Sequence, residues 1–337
     1  MELYLDSANL KEIEEAFKLG ILDGLTITPT FMQREGVTDV DSTIKKLSKI
    51  VPILQIEALG DRAEEITKEA HRLLKLGLNP KKTVFKIPVS LEGVRACKLL
   101  SDEGLMVNIH LVYTLQQAYM AMHAGATYVC PLVGRLQDQG HDALDLVEKC
   151  VKAVKEYGYN TKVMFSSVRH VEHVRNAITL GVHTITVPYK ILLSLTENSF
   201  TTIGLKQFVQ DTKLTTVKVG DLIKSTNPLV PGETKLVDAL VKMTHYGFGA
   251  ITVVNKNGSL MGVLTDGDVR RKLSLSKGKN ILSMKLNQFK YNSPITIEHD
   301  SLLGAAVKLF EETKVDTILV TKKGKPVGML DIQDVES

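Results

Sequence analysis

The sequence predicts an α/β protein: a (β/α)8 barrel followed by a tandem pair of smaller α/β modules. Three observations carry that expectation. Over the first two thirds of the 337 residues, eight short apolar runs alternate with longer amphipathic ones. No Gly-rich dinucleotide turn follows the first run, which disfavours the alternative of an open doubly wound sheet. Beyond residue 213 two segments repeat with one period.

The candidate strands, in order, are ELYLD (2–6), LTITP (25–29), ILQIE (53–57), TVFKIP (83–88), MVNIHL (106–111), TYVCPL (127–132), KVMFSS (162–167) and HTITVP (183–188). Helical patterns such as DRAEEITKEAHRLLKLG and TLQQAYMAMHAGA separate them. Eight strand–helix units in series suit a closed barrel. In the remainder, AITVVNKNGSLMGVLTDGDV ends at Val269 and DTILVTKKGKPVGMLDIQDV ends at Val335, an offset of 335 − 269 = 66 residues. An amphipathic helix precedes each copy, KLVDALVKMTHYG and SLLGAAVKLFEET. The expected domains are therefore 1–213 and 214–337, with modules at about 216–275 and 278–336.

Composition narrows the class. Hydrophobic residues make up 44% and charged residues 24%, as in ordinary globular proteins. A net charge of +4 is too small to imply nucleic acid. No apolar run approaches the roughly 20 residues of a membrane helix. The stretch MELYLDSANLKE lacks the basic and apolar regions of a signal peptide. Three cysteines, Cys97, Cys130 and Cys150, without metal-ligand spacing, fit a reducing compartment. The expectation is a cytoplasmic protein with no nucleic-acid or membrane partner.

Within TVFKIPVSLEG, Lys86 interrupts a β-branched apolar run. A buried ammonium is costly without a partner, although a strand-end lysine can pack its stem and keep its head in solvent. In a barrel, chemistry sits at the carboxyl ends of the strands. There the sequence places Asp6, Thr28, Glu57, Lys86, Asn108 with His110, Arg135, and Ser167 with Arg169. A lysine in an apolar wall beside other cations can be made nucleophilic toward a carbonyl. Each arginine alone could equally be a surface salt bridge.

Residues 1–213 resemble the small transaldolases and their fructose-6-phosphate aldolase relatives, whose fold is the TIM barrel. The resemblance rests on LYLDSAN, TITPT, IEALGDRAEE, FKIPVSLEGV, VNIHLVYTLQQA, AGATYVCPLVGRLQDQG, SSVRHVEHV and TVPYKIL. It implies that Lys86 forms a Schiff base with a ketose, that Asp6 is the acid/base, and that Glu57 orders or activates water. It further implies that Asn108 contacts the sugar and that Arg135, Ser167 and Arg169 clamp a phosphate. Such chemistry requires no metal or cofactor. Two positions depart from the family pattern: Thr28 replaces an asparagine, and His110 replaces the usual threonine. Glu57 leans toward the transaldolase branch, and Leu132 stands where the aldolase branch has tyrosine. His110 reads either as a core histidine or as a proton-transfer partner of Glu57. His170 and His173 share a helix face, but without a third ligand a solvated face outweighs a metal site.

The repeat resembles a tandem of cystathionine-β-synthase (CBS) domains, carried by GVLTDGDVRRKL (262–273) and a degenerate GMLDIQDV (328–335). The first copy is especially similar to the pair appended to arabinose-5-phosphate isomerases. The resemblance implies nucleotide contacts at Thr265 and Asp268; Asp331 replaces the threonine in the second copy. Arg270, Arg271, Lys272, Lys277, Lys279, Lys285 and Lys290 form an acid-free run, either a solvated face or a phosphate contact. The resulting expectation is a Schiff-base transaldolase or aldolase acting on sugar phosphates. It would be regulated by an adenine or other nucleotide at the CBS pair and assembled as a homo-oligomer. The alternative is a weakened barrel serving as a sugar-phosphate sensor.

Overall fold

The computed structural model describes residues 1–223, 228–276 and 280–336. Lys277 and Lys279 of the basic run lie outside the described residues. The chain divides into two compact units, Met1–Glu197 and Asn198–Ser337. The helix Ser199–Thr216 thus falls in the second unit, whereas the sequence reading set the boundary after residue 213. No described helix is long and apolar enough to cross a membrane.

The first unit is a closed parallel barrel of eight strands paired in sequence order, β8 closing onto β1. They are β1 (Glu2–Asp6), β2 (Gly24–Thr26), β3 (Leu54–Glu57), β4 (Thr83–Pro88), β5 (Met106–Val112), β6 (Tyr128–Pro131), β7 (Lys162–Phe165) and β8 (Thr184–Pro188). All eight expected strands are present. The second is shorter at its end than its apolar run, because Thr28 and Pro29 open a helix, Pro29–Arg34. Thr28 Oγ1 accepts the Phe31 N–H at 3.3 Å, and proline suits a first helical turn that needs no N–H.

Side-chain alternation builds two cores. Leu5, Leu25, Ile56, Phe85, Ile87, Ile109, Val129, Phe165 and Ile185 point outward into the layer between strands and helices. Tyr4, Val84, Tyr128, Cys130 and Met164 fill the interior. Strand β4 makes the consequence plain: Phe85 and Ile87 face the helices, so Val84 and Lys86 must face inward. Gly93 lets the next helix, Leu91–Asp102, close against this strand; a Cβ there would stand 2.3 Å from the Pro88 carbonyl oxygen.

The second unit holds two three-stranded sheets. One is ordered β11-β10-β9, from β9 (Leu229–Pro231), β10 (Ala250–Val254) and β11 (Leu260–Thr265). The other is ordered β12-β13-β14, from β12 (Thr296–Glu298), β13 (Thr317–Lys322) and β14 (Lys325–Asp331). In both, a parallel pair is followed by an antiparallel hairpin. The offset is 296 − 229 = 67 residues at the first strands and 331 − 265 = 66 at the last, so the second hairpin is one residue shorter. Phe248, Ala250, Leu319 and Met329 form an apolar cluster shared by the two modules.

Candidate active site

At the carboxyl ends of the barrel strands lies a cavity of about 680 Å³. Its lining includes Asp6, Thr28, Glu57, Lys86, His110, Arg135, Ser167 and Arg169, eight of the nine barrel residues expected from sequence. The ninth, Asn108, sits one inward-facing step below His110. It is fully buried, donates its amide to Gln55 Oε1 at 2.7 Å, and does not line the cavity.

Lys86 is the floor of the site. Its side chain is only 6% exposed, which rules out the strand-end reading with a solvated head. Nζ lies 2.9 Å from Glu57 Oε1 and donates to the Ile27 carbonyl at 3.3 Å. Register explains the pairing, since β3 and β4 place Glu57 beside Lys86, both facing inward. The second Glu57 oxygen, Oε2, is 2.9 Å from His110 Nε2. The two atoms are close without meeting the geometry of a regular hydrogen bond.

Three titratable groups are pulled in different directions. Burial works against the Glu57 carboxylate, but Lys86 and His110 outweigh it and hold its pKa below the usual value. Burial pushes the His110 pKa down, only partly opposed by Glu57, so its imidazole is neutral at neutral pH. Burial pushes Asp6 up, against the opposing pull of Lys86 and a hydrogen bond from Thr26 Oγ1 to Oδ1 at 2.9 Å. A carboxylate kept basic beside one kept ionised is a usable acid/base arrangement.

A local irregularity shapes the adjoining wall, β5. Between Ile109 and Val112 the β5–β6 register slips by one residue, and Leu111 adopts φ 57°. A bulge of this kind re-aims side chains, and here both His110 and Leu111 line the cavity while Val112 returns to the outer core. A bulky residue at positive φ is costly, about 1–3 kcal/mol, and such strain gathers at functional sites.

The arginine rim depends on close loop contact. Ser167 has φ 59°, and a Cβ on Gly134 would lie 2.0 Å from the Ser167 carbonyl oxygen and 2.9 Å from Arg169 Cγ. Glycine at 134 is what lets the helix Val133–Asp138 after β6 meet the loop after β7, so that Arg135, Ser167 and Arg169 line one cavity. Arg169 pairs with Asp138 at 2.9 Å. Its backbone N–H donates to His173 Nδ1 at 3.2 Å, while His173 Nε2 lies 2.6 Å from Gln137 Oε1. Both His173 ring nitrogens are thus engaged within the protein. Burial, with His170 adding to it, pushes its pKa down to about 4. Neither a solvated face nor a metal ligand describes His173, which is a buried brace beneath Arg169.

The sequence reading missed Thr26, Cys130, Ser166 and Thr186, which also line the cavity. Their signal was parity: each stands one residue from an outward apolar residue on its strand. Thr26 and Thr186 lie 2.6 Å apart, oxygen to oxygen, and with the Thr26–Asp6 bond they fix the Asp6 carboxylate.

In the second unit, Thr265 and Asp268 cap the helix Asp266–Leu275 reciprocally. Thr265 Oγ1 accepts from Asp268 N–H at 3.1 Å, and Asp268 Oδ2 accepts from Thr265 N–H at 3.1 Å. Asp268 also pairs with Arg271 at 2.6 Å. Arg270 is exposed. In the second copy Asp331 Oδ1 accepts from Gln333 N–H at 3.0 Å.

Comparison with known proteins also divides the chain in two, with the boundary near residue 220, so that the helix Ser199–Thr216 falls in the first family match. A family model described as Transaldolase/Fructose-6-phosphate aldolase matches residues 3–221. One described as CBS domain matches residues 219–275 and 291–336. A probable transaldolase from Thermoanaerobacter sp. (strain X514) is 39% identical over 221 residues, which are 65% of this chain and 100% of that protein. A probable transaldolase from Dictyoglomus turgidum is 41% identical over 213 residues, 63% of this chain and 97% of that protein. Among solved structures, the CBS domain of a CBS-domain-containing membrane protein from Sphaerobacter thermophilus covers 41% of this chain and 96% of its own, with 16% identity and a TM-score of 0.34.

Proposed function

The chain belongs to the transaldolase/fructose-6-phosphate aldolase family and carries a CBS-domain pair, and from that premise we propose that it is a class I, Schiff-base enzyme acting on ketose phosphates. The observation that carries this reading is Lys86, buried on the cavity floor between Glu57 and the Ile27 carbonyl, with Asp6 and His110 in the same cavity.

In this reading the Glu57–His110 pair accepts a proton from Lys86, and the freed amine adds to the ketose carbonyl carbon. The same pair returns the proton as the adduct loses water, leaving an iminium on Lys86. The iminium draws electrons from the adjacent carbon–carbon bond. Asp6, held basic by burial, takes the proton of the hydroxyl whose carbon leaves as an aldehyde. A three-carbon enamine stays on Lys86. It either adds to an acceptor aldehyde or is protonated and hydrolysed.

Arg135, Arg169 and Ser167 would hold the phosphate of the leaving aldehyde, through directed guanidinium contacts. Asn108 would act from beneath: its Oδ1 has no hydrogen-bond partner among the described residues, and β5 places it beside Lys86. Thr28 would contact the sugar from the β2 side. The CBS pair would bind a nucleotide through Thr265, Asp268, Arg270 and Arg271 and set the activity of the barrel. We place the protein in the cytoplasm as a homo-oligomer, an assembly that light scattering would size.

Aldehyde release from a ketose phosphate, measured with and without an acceptor aldose phosphate, tests the reading and separates its branches. Release only with the acceptor marks a transaldolase, and release without it marks an aldolase. Release under neither condition, across a panel of ketose phosphates, would overturn the proposal.

A further inference from the structure

We infer that Gln55 is a positioning residue for the reacting lysine: it holds the Asn108 amide across the inner face of β4, beneath Lys86, with the amide oxygen left free. This rests on the Schiff-base reading and deepens it, naming a residue that acts through Asn108 and touches no substrate.

Strand register builds the bridge. Strand β4 runs between β3 and β5, with Gln55 level with Val84 and Asn108 level with Lys86. Gln55 stands two residues before Glu57, so both project inward while Leu54 and Ile56 enter the outer core. The bond from Asn108 Nδ2 to Gln55 Oε1, 2.7 Å long, therefore crosses β4 between Val84 and Lys86. It passes under the Lys86–Glu57 ion pair, and both amides are fully buried.

The bridge also selects which end of the Asn108 amide is left over. Met164 Sδ accepts from the same Nδ2 at 3.5 Å. Turning the amide over would set its oxygen against a carbonyl oxygen and a thioether sulfur, neither of which can donate. Gln55 is steadied in turn by Tyr4: burial pushes the Tyr4 pKa up, and Gln55 works against that rise as a neighbouring donor does. Asn108 Oδ1 is consequently the end without a hydrogen-bond partner, buried beside Lys86.

That oxygen matches the chemistry above it. The Lys86 nitrogen is a donor only, both as an ammonium and as an iminium. The ammonium is served by Glu57 Oε1 and the Ile27 carbonyl. Asn108 Oδ1 adds an acceptor for the N–H of the iminium; an amide turned over would present a second donor and oppose the cation. Stability does not account for the pair. Val84 and Met164 beside it are apolar, and an apolar pair in its place would leave no buried oxygen unpaired.

The test uses the full chain and whichever ketose phosphate gives the fastest borohydride adduct in wild type. Gln55→Met, Asn108→Leu and the double variant are compared for adduct formation, turnover and thermal unfolding. Gln55→Met should slow adduct formation and turnover by about tenfold or more, with KM moving less than about threefold. Because Gln55 acts through Asn108, the double variant should react within about threefold of Asn108→Leu alone. Its melting temperature should equal or exceed those of the single variants, since both partners are then apolar. Stability regained without rate is a result that a purely structural role would not give. A wild-type rate in Gln55→Met, losses that multiply in the double variant, or a double variant that regains rate together with stability would each overturn the inference. Absence of any adduct in wild type would bring down the Schiff-base reading and this inference with it, whereas an adduct that Gln55→Met leaves unchanged brings down this inference alone.

Discussion

His110 stands 2.9 Å from Glu57, at the carboxylate oxygen that Lys86 leaves free. One carboxylate therefore touches both the proposed nucleophile and an imidazole that is neutral at neutral pH. Burial alone would disfavour a charged Glu57; the two cationic or polarisable neighbours reverse that outcome. In the proposed mechanism it is this carboxylate that would relay a proton between Lys86 and His110.

The pH dependence follows from the direction of the His110 shift. Its pKa is lowered, so the neutral form persists below the ordinary imidazole range, and the rate should fall only as pH drops beneath about 6.5. His110→Thr should lose that acid limb yet keep substantial activity. His110→Ala should be slower at every pH while still forming the imine. Superimposable pH–rate profiles for the three proteins would mean that the proton travels elsewhere.

Lys86→Met should abolish turnover, below about a thousandth of wild type, with the fold intact because the long apolar side chain leaves little cavity. The carboxyl of Glu57 would then lose the positive charge that opposes its burial. Its pKa should rise, a shift that isotope-edited infrared spectroscopy of the carboxyl can follow.

Arg135→Ala should weaken phosphorylated ketoses selectively, raising KM by about tenfold or more with little change for unphosphorylated ones. Equal losses for both would show that the phosphate is held elsewhere.

Gly134→Ala should act on the same clamp from behind. The added methyl cannot coexist with the Ser167 carbonyl at 2.0 Å, so the helix after β6 and the loop after β7 must separate. KM for phosphorylated substrate should rise about as much as in Arg135→Ala, although every arginine remains. A kinetic profile like wild type would show that the loops tolerate the shift.

Thr265→Ala should cost about 1 kcal/mol of stability in the second unit through loss of its helix cap. Thermal unfolding monitored in the full chain would read this loss without any ligand. If stability holds and nucleotide binding vanishes, the threonine serves the ligand alone.

Much of this architecture was legible in the residues. Eight apolar runs between amphipathic segments marked the eight strands, and Lys86 stood out as a charge within one of them, while the parity that turns it inward is seen in the structure. Rim residues such as Asp6, Glu57 and Arg135 stood out because charge is unusual at the end of a buried strand. Less was visible where geometry, not residue type, decides. Cys130, Ser166 and Thr186 look like ordinary strand residues, and only barrel closure gathers them. Asn108 shares its parity with His110 but falls one layer too deep to meet the cavity. The bulge at Leu111 carries no glycine to announce it. Gly134 is a small residue whose purpose lies in a neighbour 33 positions away, Ser167.

The central claim is that Lys86 bonds covalently to a ketose phosphate, and reductive trapping tests it most directly. Wild type, Lys86→Met and His110→Ala would each be incubated with a panel of ketose mono- and bisphosphates and borohydride, then digested and mapped by mass spectrometry. The account predicts a stable adduct on the peptide containing Lys86 in wild type and His110→Ala, and none in Lys86→Met. Full occupancy of the cavity by a ketose phosphate with no adduct at Lys86, or an adduct that survives in Lys86→Met, would contradict it.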